Sequence, residues 1–207
     1  AKDLADLKVC IFDVFGTVVD WHGSIAREVG ALELGIDPGQ FALAWRAGYH
    51  PAMARVRSGE LGWTKIDDLH RMILDQVLDR FGIADLSEAL KRHLNLAWHR
   101  LDPWPDVAEG LTRLRRRFTV CSLSNGNLGL QADLFKYGGL QWDLILSAEV
   151  FRHYKPDPET YLGVCDVFDI APAQMMLVAA HHADLAGARA CGCRSPYIER
   201  PREFGPA

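Results

Sequence analysis

The chain has 207 residues, 49% of them hydrophobic and 24% charged, and a formal net charge of −4. That is an ordinary globular composition, long enough for a full core in one domain with an insertion or in two small ones. The acidic balance gives no electrostatic reason to expect a nucleic-acid partner, and no apolar stretch approaches membrane-spanning length.

No N-terminal targeting signal is visible. The five cysteines are odd in number and lie mostly in apolar patterns, which fits reduced core thiols in a cytoplasmic protein. Cys191-Gly192-Cys193 lacks CxxC spacing and a second pair, so it reads as packing and not as a metal or redox site.

In chain order, a strand-like run at 8–12 comes first. The stretch from about 20 to 102 then holds no convincing strand and several amphipathic helical patterns. Ser24 is placed as the N-cap of a helix running to Leu34. Residues 40–57 are helical in pattern, with a kink expected at Pro51. Ile66, Leu69, Ile73, Val77 and Leu78 set a helix over 64–81 that ends at Gly82, and 87–100 completes the set.

From Pro103 onward strands alternate with helices. The helices are expected at 106–116, 128–137, 158–168 and 184–190, and the strands at 118–123, 143–146, 175–180 and 195–198. The basic run Arg113 to Arg117 closes the first of these helices and reads as a solvated face. The alternation predicts an α/β protein with a Rossmann-like parallel sheet. Its core would comprise residues 1–18 and 103–207, with 19–102 inserted as a helical cap over the strand ends.

Candidate chemistry clusters where these strands end. After the first comes Asp13-Val14-Phe15-Gly16-Thr17; after the second, Ser122-Leu123-Ser124-Asn125-Gly126. Tyr154-Lys155-Pro156-Asp157 follows the third, and Ala179-Ala180-His181-His182-Ala183-Asp184 the fourth. A carboxylate at the carboxyl edge of a parallel sheet faces a site, and carboxylates can act as covalent nucleophiles. Phe15 can neither donate nor accept a proton, so the leaving group that Asp13 displaces must depart without protonation.

A nucleophilic Asp13, a small hydroxyl or amide donor, Lys155 and a second acid, in that order, resemble the haloacid dehalogenase superfamily over nearly the whole chain. Phosphatases of that superfamily look like Asp-x-Asp-Gly-Thr and carry an acid four residues before the Asp184 equivalent to hold Mg²⁺; here those positions are Phe15 and Ala180. Phosphoryl transfer without that metal leaves developing charge poorly neutralised, whereas a halide is a stable anion. The pattern therefore looks like the L-2-haloacid dehalogenase branch, and Leu43-Ala44-Trp45-Arg46 extends the match into the helical stretch.

The resemblance implies hydrolysis of short 2-haloalkanoic acids to 2-hydroxy acids with inversion, through an ester on Asp13 and without metal or cofactor. Lys155 would keep Asp13 ionised; its plainer reading is a solvated turn lysine. Arg46, with Asn125, would receive the halide or anchor the substrate. Ser124 and backbone N–H groups near Phe15 would hold the substrate carboxylate. Thr17 would brace Asp13 or cap a turn, and Asp184 would orient Lys155, activate water or cap its helix. Tyr161 would reach Asp13 or fill core. Phe15, Trp45 and Trp63 are candidate pocket walls, and a homodimer is implied by likeness to relatives.

The fourth segment departs from the branch, which looks like Ser-Ser-Asn-x-aromatic-Asp. Ala179 loses a hydroxyl, His181 replaces an amide and Ala183 replaces a ring. His181 then reads as a base, a halide contact or a supporting histidine. Relatives usually run on past the equivalent of Ala207 into another strand and helix. A Mg²⁺-dependent phosphatase or phosphonate hydrolase on the same fold, and a silent small-anion-binding member, are the alternatives.

Overall fold

The computed structural model describes residues 4–206. The outer limits of the expected 1–18 and 103–207 segments, and the expectation about the chain past Ala207, fall outside them. Strand β1 (Val9–Phe12) is followed by the two-residue β2 (Val19–Asp20) and helices α1 (Trp21–Gly30), α2 (Pro38–Ala47), α3 (Tyr49–Arg57), α4 (Ile66–Arg80) and α5 (Glu88–Asn95). A 3₁₀ turn at Leu96–His99 leads to β3 (Asp102–Pro103) and α6 (Val107–Leu114). Then come β4 (Thr119–Ser124), α7 (Leu128–Tyr137), β5 (Leu144–Ser147), α8 (Ala148–Phe151), α9 (Pro158–Phe168), β6 (Met175–Val178) and α10 (His182–Ala190).

The main sheet runs β5–β4–β1–β6, every pair parallel. Phe12 lies level with Ser122 and Val178, and Ser124 with Ser147, so all four strands end along one edge. Side chains alternate across the sheet. Val9 and Ile11 face a core with Cys121, Leu123, Tyr161, Val164 and Leu177, while Cys10 faces the core that continues into the helical stretch. That second core holds Trp21, Trp45 and Trp98, all fully buried.

Three local expectations need correction. Ser24 does not cap α1. Asp20 does, its carboxylate accepting from the Gly23 N–H at 2.9 Å, because the buried stripe starts one turn earlier at Trp21 and Ile25. The Ser24 hydroxyl instead accepts from the Asp102 N–H at 2.8 Å. That contact lies beside a small antiparallel ladder, β2 with β3, which at two residues per strand is too short to show an alternating pattern.

Residues 195–198 form no strand. Isolated bridges join Met176 to Arg194 and Ala179 to Tyr197 beside β6, and Pro196 removes a ladder donor between them. The break in 40–57 falls at Gly48, between α2 and α3, and not at Pro51. Pro51 is the third residue of α3, where a helix leaves its N–H groups unpaired in any case. A Cβ on Gly48 would lie 2.4 Å from Ile73 Cγ2 of α4.

Gly48→Ala should therefore destabilise the protein by about 1–3 kcal/mol in urea unfolding through overpacking, whereas Pro51→Ala should change stability by less than about 1 kcal/mol.

Candidate active site

Asp13 is the first residue beyond β1, held there by its N–H donating to Val178 O at 3.1 Å. The residue is 7% exposed, and its side chain makes three contacts. Lys155 Nζ donates to Oδ1 at 2.9 Å, Thr17 Oγ donates to Oδ2 at 2.7 Å, and His181 Nδ1 lies 2.8 Å from Oδ2. Thr17 also accepts from the Ala180 N–H at 2.9 Å, which ties the turn after β1 to the end of β6.

Lys155 stands between two carboxylates: its Nζ also reaches Asp184 Oδ2 at 2.5 Å. Its backbone is gripped from two sides. Asn125 Oδ1 accepts from the Lys155 N–H at 2.7 Å, and Arg57 of α3 donates to Lys155 O at 2.6 Å. Asp184 in turn accepts from Tyr161 Oη at 2.5 Å. Asp184 sits in the first turn of α10, which starts at His182, so it does not cap that helix.

The charges respond as burial and pairing require. Burial alone would raise the pKa of Asp13, but the Lys155 ammonium and then the His181 ring hold it well below the usual carboxylate range. Burial likewise disfavours the Lys155 charge, yet Asp13 and Asp184 keep it protonated beyond its ordinary range. Asp184 moves the other way: burial raises its pKa and the Asp13 charge adds to that, against the pull of Lys155. For His181, burial is outweighed by Asp13 and Glu203, which push the ring up to about 10.

These residues open onto a cavity of about 130 Å³, lined by Asp13, Phe15, Asn125, Lys155, His181 and Asp184 together with Arg46, Tyr49 and His50 from α2 and α3. That volume is roughly four waters' worth of liquid. The Arg46 guanidinium lies 4.1 Å from the Tyr49 ring centroid, and its buried Nη1 has no hydrogen-bond partner among the described residues. A guanidinium with an unsatisfied buried donor, lining the same cavity as a buried carboxylate, suits an anionic ligand. Phe15 packs edge-on against Trp98 with centroids 5.7 Å apart. No group of three or more His, Cys, Asp or Glu among the described residues is placed to hold a metal ion.

Asp13, Lys155, Asp184, Thr17, Phe15, Asn125, Arg46 and His181 thus come together. Ser124 does not line the cavity: its hydroxyl accepts from the Gly126 N–H at 2.9 Å. Tyr161 binds Asp184 and not Asp13. Trp45 is fully buried with its indole N–H on His70 O, and Trp63 stacks on Tyr154 beside a separate pocket, so neither lines this cavity. Tyr49, His50 and Glu203 were not singled out in the sequence. Tyr49 follows Arg46 by three residues, a usable helical signal had the break not come at Gly48; Glu203 sits in a tail without periodicity.

The family model described as haloacid dehalogenase-like hydrolase matches residues 7–192. (S)-2-haloacid dehalogenase 4A of Burkholderia cepacia is 30% identical over 94% of this chain and 84% of its own. (S)-2-haloacid dehalogenase 1 of Pseudomonas sp. (strain CBS-3) is 29% identical over 96% and 88%. Among solved structures, an L-2-haloacid dehalogenase superposes with a TM-score of 0.93 at 44% identity, covering 97% of this chain and 88% of that one. A defluorinating L-2-haloacid dehalogenase gives 0.94 at 41%, covering 97% and 84%.

The His181 shift carries a sign. A pKa raised from 6.5 to about 10 stabilises the fold fully below 6.5, and that contribution is lost as pH rises toward 10. The lowered Asp13 contributes in the opposite sense, from the ordinary carboxylate range upward, and is lost only in strong acid. Urea unfolding of the wild type should therefore show stability falling between pH 7 and pH 10, and His181→Asn should flatten that decline.

Proposed function

The chain belongs to the haloacid dehalogenase-like hydrolases, and on that premise we propose that it converts short (S)-2-haloalkanoic acids to 2-hydroxy acids with inversion. One observation carries the reading. The Lys155 ammonium lies between Asp13 and Asp184, keeping a carboxylate nucleophile ionised, while Phe15 offers no proton where an oxygen leaving group would need one. Halide requires none.

Asp13 attacks C2 of the substrate from the face opposite the halogen, the C–X bond breaks with its electron pair, and an ester to Asp13 forms. Water then attacks the Asp13 carbonyl carbon and releases the 2-hydroxy acid. Arg46 supplies the positive charge that receives the anionic end of the substrate or the departing halide, and Asn125 orients Lys155 by accepting from its N–H. Asp184, its proton affinity raised by burial, suits the base that takes the proton of water. Tyr161 holds Asp184 in place, and Ser124 shapes the turn that sets Gly126 against Phe15. The cavity volume favours two- and three-carbon acids.

A homodimer working in the cytoplasm, independent of metal, completes the proposal. The homodimer rests on family resemblance, the cytoplasm on reading the five cysteines as reduced thiols, and metal independence on Phe15 and Ala180, where the phosphatase branch carries acids. Among the described residues no helix is long and apolar enough to cross a membrane.

Halide release from (S)-2-chloropropionate tests the reading. The wild type should yield chloride and (R)-lactate, Asp13→Asn neither, and chelators should leave the rate unchanged. A wild type that liberates no halide from any short 2-haloacid overturns it. Arg46→Ala should lower kcat/KM by about 2–3 kcal/mol in activation terms, roughly a hundredfold, the worth of a hydrogen bond to charge.

A further inference from the structure

The site is closed from behind by a residue near the far end of the chain. Glu203 is 4% exposed, and its Oε1 lies 2.7 Å from His181 Nε2 and accepts from Trp21 Nε1 at 3.1 Å. The carboxylate is seated on Gly16, whose φ is +85°; a Cβ there would come within 2.2 Å of Glu203 Oε1. The segment is pinned by Arg200, which donates to Thr17 O at 2.9 Å and pairs with Asp106 at 2.9 Å. Both ring nitrogens of His181 therefore face carboxylate oxygens, so the ring carries both protons as an imidazolium.

This makes the two oxygens of Asp13 unequal. Oδ2 accepts from Thr17 and from His181, whereas Oδ1 accepts from Lys155 alone. A carboxylate oxygen has two in-plane lone pairs. Those of Oδ2 are taken and one on Oδ1 is free, so Oδ1 is the attacking atom and Oδ2 becomes the carbonyl oxygen of the ester. Resting on the dehalogenase reading above, we propose that Glu203 is a positioning residue that fixes His181 so that, together with Thr17, it forms an oxyanion hole at Asp13 Oδ2 for hydrolysis of the ester.

The step balances. The water oxygen bonds to Cγ of Asp13 as the carbonyl pair moves onto Oδ2, and one water proton passes to Asp184. The pair returns, the Cγ–Oδ1 bond breaks, and Oδ1 leaves as the alcohol oxygen, protonated by Lys155. Asp184 then reprotonates Lys155 across their 2.5 Å contact. The second water proton goes to solvent as Asp13 regains its charge.

Charge drains from Asp13 during alkylation and gathers on Oδ2 during hydrolysis. Donors fixed on that oxygen therefore favour the second step over the first. The raised proton affinity of His181 supports the arrangement, since the ring stays a donor across the neutral range.

The test separates the two half-reactions with excess (S)-2-chloropropionate, following chloride by rapid mixing and ester-bound protein by intact mass. Glu203→Gln should keep the chloride burst at or above the wild-type rate, lower steady-state turnover roughly tenfold and accumulate the ester, with partial recovery in Glu203→Asp. His181→Gln should do the same more deeply, about a hundredfold, the usual cost of an oxyanion donor; it also serves where Glu203→Gln fails to fold. Burst and turnover falling together, or both unchanged in either folded variant beside an active wild type, overturns the proposal and leaves the dehalogenase reading standing. A wild type that releases no halide from any haloacid overturns that reading itself.

Discussion

The Lys155 ammonium shared by Asp13 and Asp184 is the contact on which the rest of the site depends. All three groups are nearly excluded from solvent, at side-chain exposures of 5%, 10% and 9%. Two carboxylates that close would not both ionise without a cation between them, and an unpaired buried charge costs several kcal/mol. The fold answers by fixing Lys155 through its backbone, with Asn125 from the end of β4 and Arg57 from α3 each holding one of its peptide groups. The helical stretch thus helps to position the Lys155 ammonium.

The second pairing, His181 with Glu203, extends the same logic outward. Lys155, His181 and Arg46 stand against Asp13, Asp184 and Glu203, so the charges in and behind the cavity nearly cancel, and the Arg46 Nη1 that lacks a hydrogen-bond partner among the described residues suits an added anion. Phe15, backed by Trp98, gives that cavity an apolar side, where each of these interactions is stronger than in bulk water.

Much of this was legible from local pattern. A buried strand ending in Asp13, and three later strands each ending in a polar cluster, predicted the sheet and the edge where the site lies. Phe15 and Ala180 pointed to the leaving group by what they lack. What stayed hidden depended on register or on long-range return of the chain. Asp20 and Ser24 are both acceptable caps, and only the packing of Trp21 chooses between them. Pro51 looks like a breaker, but the break follows from the close approach of Gly48 to Ile73. Tyr161 was placed near the site, yet which carboxylate it meets is set by the packing of α9 on α10. Glu203 has no pattern at all around it, and its partners lie 22 and 182 residues away.

That Glu203 rests on Gly16 joins two points 187 positions apart in the sequence. During synthesis Asp13 emerges long before the carboxylate that holds its histidine. A nascent chain can therefore complete its sheet before its reaction centre. By the same geometry, proteolytic clipping or a bulky fusion near Arg200–Gly205 would strike at chemistry ahead of folding.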